Sequence, residues 1–321
     1  MSDAAPSAHL HWDAEALWRQ LEPHLPGISV EVLASTESTN TVLLERARLG
    51  GGRSDAPITT PGELEALRQR GERRPQNDRG PHGRRSDDTH PCLLVAEHQT
   101  FGRGRQGRGW TAARGSSLTF SIGLPLAPRD WSGLSLAVGV ALADAIEPPE
   151  PGARAPQLLL KWPNDVWLRD DEAWPGRKLG GVLIETVAVG DRRMVVVGVG
   201  LNVGPLPADH PAPSMTHGYA SLRELWPAAT APEVLHRVAL PLVRTLQQFE
   251  REGFAAFAIA FSRRDLLRGL SVSALDPARP AASVDGVAEG VGASGALRLR
   301  SADGTLVEVS SGDVSVRLQP H

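Results

Sequence analysis

Four glycines and three arginines interleave in the run Gly102-Arg103-Gly104-Arg105-Gln106-Gly107-Arg108-Gly109-Trp110. Glycine at this spacing removes Cβ atoms, so backbone N–H groups can turn toward an anion and side chains cannot hold the loop shut when nothing is bound. Arg103, Arg105 and Arg108 add planar, permanently charged forks that suit phosphate or carboxylate. The chemistry to expect is anion binding beneath a mobile flap. Arginine-glycine runs also serve as solvated basic linkers in RNA-binding tails, but this run is single and lies between apolar segments. Cys92-Leu93-Leu94-Val95-Ala96 precedes it as a buried strand, and Leu118 to Leu124 follows it with strand alternation.

A second constellation is Lys161-Trp162-Pro163-Asn164-Asp165, where an apolar strand meets a tight turn and returns. A strand-end lysine ordinarily reaches water. Here it stands beside Asn164 and Asp165, hard oxygen donors suited to Mg²⁺. A third is Ser38-Thr39-Asn40 ahead of an amphipathic segment. These residues read equally as a helix cap or as hydroxyl, amide and N–H groups offered to a small polar ligand. Asn202, inside a glycine-bearing strand, reads as a residue that satisfies neighbouring backbone groups.

The 321 residues carry a net charge of -3 and a pI near 6.4, so no global field draws the chain to nucleic acid or anionic lipid. Any basic site is local. One cysteine, Cys92, excludes disulfides within the chain and reads as a buried, inert thiol. There is no apolar run approaching ~20 residues and no secretory signal pattern, so the sequence predicts a soluble cytoplasmic protein.

The elements that must position these groups follow in order. Ala14 to Leu21 is helix-like and stops at Pro23. Ile28 to Leu33 alternates as a strand, and Thr41 to Leu49 forms a helix that stops at Gly50. Gly51 to Pro91 holds too few apolar residues to offset ordering entropy and reads as a mostly mobile surface insertion, with Glu63 to Arg70 helical. Leu134, Val138, Leu142 and Ala145 mark one buried helix stripe. Lys178 to Glu185 and Val195 to Val203 complete a meander around Gly190-Asp191. Val234, Leu235, Val238, Leu242, Leu246 and Phe249 mark a long helix, and a second runs from about Phe254 to Leu267. After Gly269, short alternating runs around Val287, Leu297, Leu306 to Val309 and Val314 to Leu318 predict a small β-barrel.

Taken together, Ser38-Thr39-Asn40, Gln99 through Trp110, Lys161 through Asp165, Lys178-Leu179-Gly180-Gly181, Gly198 through Val203 and Gly312-Asp313-Val314-Ser315-Val316-Arg317 resemble the biotin protein ligases. The likeness runs from about residue 28 to 321 apart from the insertion. It implies an α+β fold: a class II tRNA-synthetase-like catalytic domain on a mixed, largely antiparallel sheet over 28–268, then an SH3-like β-barrel over 269–321. Residues 1–27 would be an N-terminal extension, too short for the winged helix-turn-helix of relatives that also repress transcription, so no DNA partner is expected.

The reaction that the resemblance implies is ATP- and Mg²⁺-dependent activation of biotin as biotinyl-5'-AMP, then transfer to a lysine of a biotin carboxyl carrier domain. Ser38, Thr39, Asn40 and Gln99, with Gly102, Arg103, Gly104, Arg105 and Lys161, would hold biotin. Arg103, Arg105, Arg108, Trp110, Asn164, Asp165, Lys178, Asn202 and Arg317 would bind ATP and the adenylate, with Trp110 near adenine. Lys161, Arg105 and Arg103 would carry catalysis, and Asp165 with Asn164 would take Mg²⁺. Gln106 departs from the arginine common at its position. The rival readings are a lipoate or octanoate ligase on the same scaffold and a nucleic-acid-binding regulator using the basic loop.

Overall fold

The computed structural model describes residues 10–50, 89–150, 152, 155–170, 175–206, 218–275, 283–312 and 314–319. Most of the expected insertion, residues 51–88, lies outside the described residues, as does its expected helix.

A seven-stranded sheet forms the centre, in the order β1-β2-β5-β9-β8-β7-β6. Its members are β1 (Ser29–Leu33), β2 (Cys92–Ala96), β5 (Ser117–Pro125), β6 (Leu158–Lys161), β7 (Asp165–Leu168), β8 (Arg177–Val189) and β9 (Arg192–Asn202). β1 and β2 are parallel and every other neighbour is antiparallel, so the sheet is mixed as expected. β2 is buried along its whole length, which explains its unbroken apolar run. The short strands β3 (Gly102–Arg103) and β4 (Gly109–Trp110) pair separately as a hairpin.

Helices cover the sheet. α1 (Ala14–Leu21) buries Leu17 and Leu21, and Trp12 before it donates its indole N–H to Glu97 Oε1 at 3.1 Å. Residues 10–27 therefore belong to the main core. α2 (Thr39–Gly50) starts within the Ser38-Thr39-Asn40 motif. α3 (Leu134–Ile146) departs from the one-stripe expectation: Leu136, Ala137, Val140, Ala141 and Ala143 are buried as well, while Ala145 is only partly so. It is enclosed between the sheet and α4 (Ala231–Glu252), and a helix covered on both sides is apolar around most of its circumference. α4 keeps the expected stripe and begins with a capping box. The Thr230 hydroxyl accepts from Glu233 N at 3.4 Å and Glu233 Oε2 accepts from Thr230 N at 3.2 Å, an arrangement worth about 1 kcal/mol.

The second long helix is a correction. A 3₁₀ turn (Phe254–Phe257) leads into a short α5 (Ala258–Arg264). Buried Arg264 ties its end to Asp144 at 2.8 Å and Glu147 at 2.6 Å, and Asp265 turns extended to bridge Leu160.

The C-terminal part is a five-stranded antiparallel sheet, β13-β12-β11-β10-β14. β10 (Ser271–Leu275) was not among the expected runs; β11 (Val284–Val291), β12 (Leu297–Arg300), β13 (Leu306–Val309) and β14 (Ser315–Leu318) were. This sheet is the small C-terminal β domain expected as a barrel. The edge strands β13 and β14 are not hydrogen-bonded to each other, so the sheet is open among the described residues. Val272, Ala274, Ala288, Leu297, Leu299 and Val316 nevertheless join the same hydrophobic core as the central sheet. Among the described residues no helix is long and apolar enough to cross a membrane.

Candidate active site

A cleft of about 1310 Å³ opens where the β1–α2 loop, the β3–β4 hairpin, the β6–β7 turn, the centre of β8 and β9, and β14 converge. Ser38, Thr39, Asn40, Gln99, Arg103, Gly104, Arg105, Arg108, Trp110, Lys161, Asn164, Asp165, Lys178, Asn202 and Arg317 all line it. Gly102 does not. It pairs with Trp110 in the hairpin, where a Cβ would stand 2.2 Å from the Trp110 carbonyl oxygen, so its lack of a side chain serves hairpin closure.

One wall is a buried, uncharged network. Gln99 Oε1 accepts the Thr39 N–H at 2.8 Å, taking up a donor that the start of α2 would leave orphaned. Ser121 Oγ donates to Asn40 Oδ1 at 2.6 Å. The Thr39 hydroxyl, 2.6 Å from Ser121 Oγ, is then the donor of that pair, because Ser121 has spent its only proton. Asn40 Nδ2 donates to Glu185 Oε2 at 2.9 Å and Leu183 O at 3.3 Å. Gly198 makes room for this amide, since a Cβ there would lie 2.2 Å from Asn40 Oδ1. Gly200, two residues on, gives the same clearance to the Trp110 ring, with a Cβ 2.5 Å away. Trp110 thus lies against the backbone of β9, and its indole N–H is buried with no hydrogen-bond partner among the described residues.

The flap is an ordered hairpin. Its tip, Arg105–Gly107, is a tight turn in which Gln106 takes φ 57 and Gly107 φ 70, both left-handed. Arg103 forms an ion pair with Glu185 at 3.1 Å and donates to Thr41 Oγ1 at 3.4 Å. Arg105 reaches across the cleft to the carbonyls of Ser311 at 2.6 Å, Gly312, and Val314 at 3.3 Å, and to Asn164 Oδ1 at 3.3 Å. Arg108 donates to Gln106 Oε1 at 3.0 Å.

Opposite stands Lys161, the last residue of β6, in register with Asp165. Its ammonium donates to Val316 O at 2.8 Å and lies 5.6 Å from the Trp167 ring centroid. Burial lowers its pKa from the ordinary lysine range; the like charges of Lys178 and Arg108 add to this, and Asp165 opposes it. A desolvated cation of this kind is stabilised by an incoming anion. The turn is fixed on both sides: the Trp162 indole donates to Gly295 O at 3.0 Å, and Asn164 Nδ2 donates to Val182 O at 2.7 Å.

Asp165 Oδ1 accepts from Lys178 Nζ at 2.7 Å, and its other oxygen has no partner among the described residues. One carboxylate beside an amide oxygen is a donor set that Mg²⁺ accepts when phosphate oxygens and waters complete its octahedron, so these two residues fit that ion. Asn202 donates to Ala220 O at 3.0 Å and Lys178 O at 3.4 Å, the backbone-satisfying role read from the sequence, while still facing the cleft. Arg317 is exposed at the rim. Cys92 is not a lining residue; its thiol donates to Glu31 at 3.6 Å.

Sequence reasoning missed Ser121, Glu185, Trp167 and Tyr219. Ser117, Thr119 and Ser121 alternate through a strand buried on both faces, a hydroxyl stripe that looks solvent-facing in sequence. Tyr219, the only tyrosine, lines the cleft and donates to Gly204 O at 2.7 Å. Burial pushes its phenol pKa up to about 12, so it stays neutral near physiological pH.

Comparison with known proteins agrees with this geometry. A profile of the Biotin/lipoate A/B protein ligase family matches residues 82–202, and one of the Biotin protein ligase C terminal domain matches residues 274–317. The chain is 33% identical over 310 residues to the biotin–[acetyl-CoA-carboxylase] ligase of Mycobacterium tuberculosis, covering 92% of this chain and 89% of that one. It is 28% identical over 302 residues to the bifunctional ligase/repressor BirA of Escherichia coli, covering 93% and 77%. The structure of the Aquifex aeolicus biotin protein ligase in complex with biotin and ATP has the same fold, with a TM-score of 0.61 at 23% identity over 90% of this chain and 99% of that one. A relative matched at one residue in three along nearly the whole of both sequences settles the kinship: this chain is an enzyme of the biotin protein ligase family.

Proposed function

We propose that the chain activates biotin with ATP as biotinyl-5'-AMP and passes the biotinyl group to a lysine of a biotin carboxyl carrier domain in the cytoplasm. The observation that carries this is the pairing, within one cleft, of a neutral buried hydrogen-bonding wall with a convergence of cations. A ureido head suits the first and a carboxylate beside a triphosphate suits the second.

Two anions must meet, so the reaction needs charge and positioning more than a nucleophilic side chain. A biotin carboxylate oxygen attacks the α-phosphorus and pyrophosphate leaves. Lys161 stands beside the Asn164–Asp165 turn in the same cleft as the neutral wall, where its ammonium can exchange the Val316 carbonyl for the reacting oxygens. Arg103, Arg105 and Arg108 neutralise phosphate charge from above, and Lys178 holds the Asp165 carboxylate in place. Asp165 and Asn164 would hold Mg²⁺, which supplies further charge neutralisation on the phosphates. The mixed anhydride is labile in water, and the hairpin shields it until the carrier amine attacks the acyl carbon, expelling AMP and losing a proton. Asn40, with both ends of its amide engaged by protein groups, shapes the biotin wall. Trp110, packed on Gly200 beside that wall, is the ring proposed to lie near adenine.

The test is exchange of labelled pyrophosphate into ATP. Exchange that requires biotin and is absent with lipoate supports the proposal. Exchange with lipoate alone would replace it with a lipoate ligase. Absence of any exchange, with salt-sensitive binding to nucleic acid, would replace it with a regulator.

A further inference from the structure

We propose that Glu185 is a positioning residue that latches the flap shut and links it to the neutral wall of the cleft. The inference rests on the functional reading above for its kinetic consequences, but the latch itself is a property of the fold.

Glu185 lies on β8 beyond the cleft lining and uses its two oxygens on two different regions. Oε1 pairs with Arg103 of the hairpin at 3.1 Å, and Oε2 accepts from Asn40 Nδ2 at 2.9 Å. From Asn40 the bonds continue through Ser121 and Thr39 to Gln99. Gln99 is four residues before Arg103, so these bonds, the last of them through the Thr39 backbone N–H, close a circuit around the base of the flap. The backbone supports this only part of the way: Thr100 N donates to Thr36 O at 2.9 Å and Phe101 N to Glu37 O at 3.1 Å. Arg103 is the first side chain past that ladder to grip the body of the protein, and Glu185 is its charged partner.

An isolated, half-exposed ion pair contributes little, because water screens it and both side chains lose freedom. This pair differs in that one partner is fixed from behind. Asn40 is 3% exposed and sits in the space left by Gly198, so its amide cannot swing away, and the carboxylate bonded to it is held at one angle. A guanidinium meeting a pre-aimed carboxylate loses less entropy than one meeting a free side chain. The circuit also gives coupling a physical route. A ligand head that engages Thr39 or Gln99 firms the network behind Glu185 and favours the closed hairpin. By reciprocity, a closed hairpin tightens the head site by the same factor.

The experiment uses the full chain and tryptic cleavage after Arg105 and Arg108 as a readout of flap opening. Glu185→Gln keeps an oxygen for Asn40 Nδ2 and removes the charge facing Arg103; Arg103→Gln removes the other charge and leaves the Asn40 network untouched. Each variant should be cleaved about tenfold faster than wild type, and the double variant no faster than either, the signature of one shared interaction. Biotin should slow cleavage of wild type and lose most of that protection in both variants. In pyrophosphate exchange, Glu185→Gln should raise KM for biotin about tenfold with kcat within about twofold. Cleavage of Glu185→Gln within twofold of wild type, a double variant near a hundredfold, or a collapse of kcat with KM unchanged would each overturn the latch. Should Glu185→Gln fail to fold, Arg103→Gln alone must show the faster cleavage and lost protection, or the proposal falls. Wild type that lacks exchange would overturn the functional reading, while the cleavage comparison would still decide the latch.

Discussion

The two walls of the cleft are built on opposite principles. On the neutral side, Ser38, Thr39, Asn40 and Gln99 are each under a tenth exposed, and the Thr39–Ser121–Asn40 bonds assign the Thr39 and Ser121 hydroxyl protons a place. On the cationic side, Lys161 and Arg105 are half-buried and donate to backbone carbonyls of the 311–316 segment, Arg105 also to Asn164 Oδ1. A carbonyl carries only a partial charge, so a carboxylate or phosphate displaces it at a gain. The neutral wall is finished before anything binds, whereas the charged wall keeps interim partners that the reacting anions can replace.

That contrast can be broken experimentally, and the largest effect belongs to the charged wall. Lys161→Ala should lower the rate of pyrophosphate exchange at least 10²- to 10³-fold, as loss of a transition-state charge donor does, with little change in thermal midpoint. Turnover near wild type would take Lys161 out of the chemistry. Next, Gly198→Val forces a side chain onto the Asn40 amide. It should weaken biotin binding tenfold or more by calorimetry and cost about 1–3 kcal/mol of stability, while ATP binding holds. If both ligands weaken equally, the walls are not independent.

A subtler effect concerns pH. Lys161 must stay protonated to work, and its lowered pKa puts the alkaline limb of activity below the ordinary lysine range. Lys178→Met removes a like charge that lowers this pKa and frees Asp165 to raise it, so the limb in kcat/KM against pH should move upward. A downward move would refute the electrostatic account.

The smallest effect lies outside both walls. Asp265, buried at the junction of α5 and β10, has its pKa raised to about 6 by desolvation. A carboxyl that holds its proton more tightly when folded contributes stability below pH 4 that is lost as pH rises through 6. Asp265→Asn should therefore raise the thermal midpoint at pH 8, by on the order of 1–3 kcal/mol of stability, and lose that advantage by pH 4. Exchange activity should be unchanged, separating fold titration from cleft titration.

Much of this was legible in the sequence because the motifs are short and local. The flap announces itself by interleaved glycine and arginine, the β6–β7 turn by Pro163-Asn164-Asp165, and α4 by its 3.6-residue stripe. What escaped notice depends on distant chain segments. Ser121 has a meaning only because β5 brings it to Thr39 and Asn40, some eighty residues away in sequence. Glu185 reads as an ordinary strand carboxylate until Arg103 and Asn40 arrive on either side of it. α3 was read as one-sided because a stripe pattern cannot reveal that α4 covers its other face. The barrel was inferred from strand count, but closure depends on edge pairing between β13 and β14, which no local pattern encodes.

The bond from the Trp162 indole to Gly295 O fastens the residue after Lys161 to the C-terminal sheet, and Gly295 itself packs where a Cβ would come within 2.8 Å of Gly133. The two halves are therefore fitted to each other. Exchanging the C-terminal portion for that of a distant cousin would shift the anchor under Lys161 and misplace the lysine, even where every residue facing the ligands had been retained.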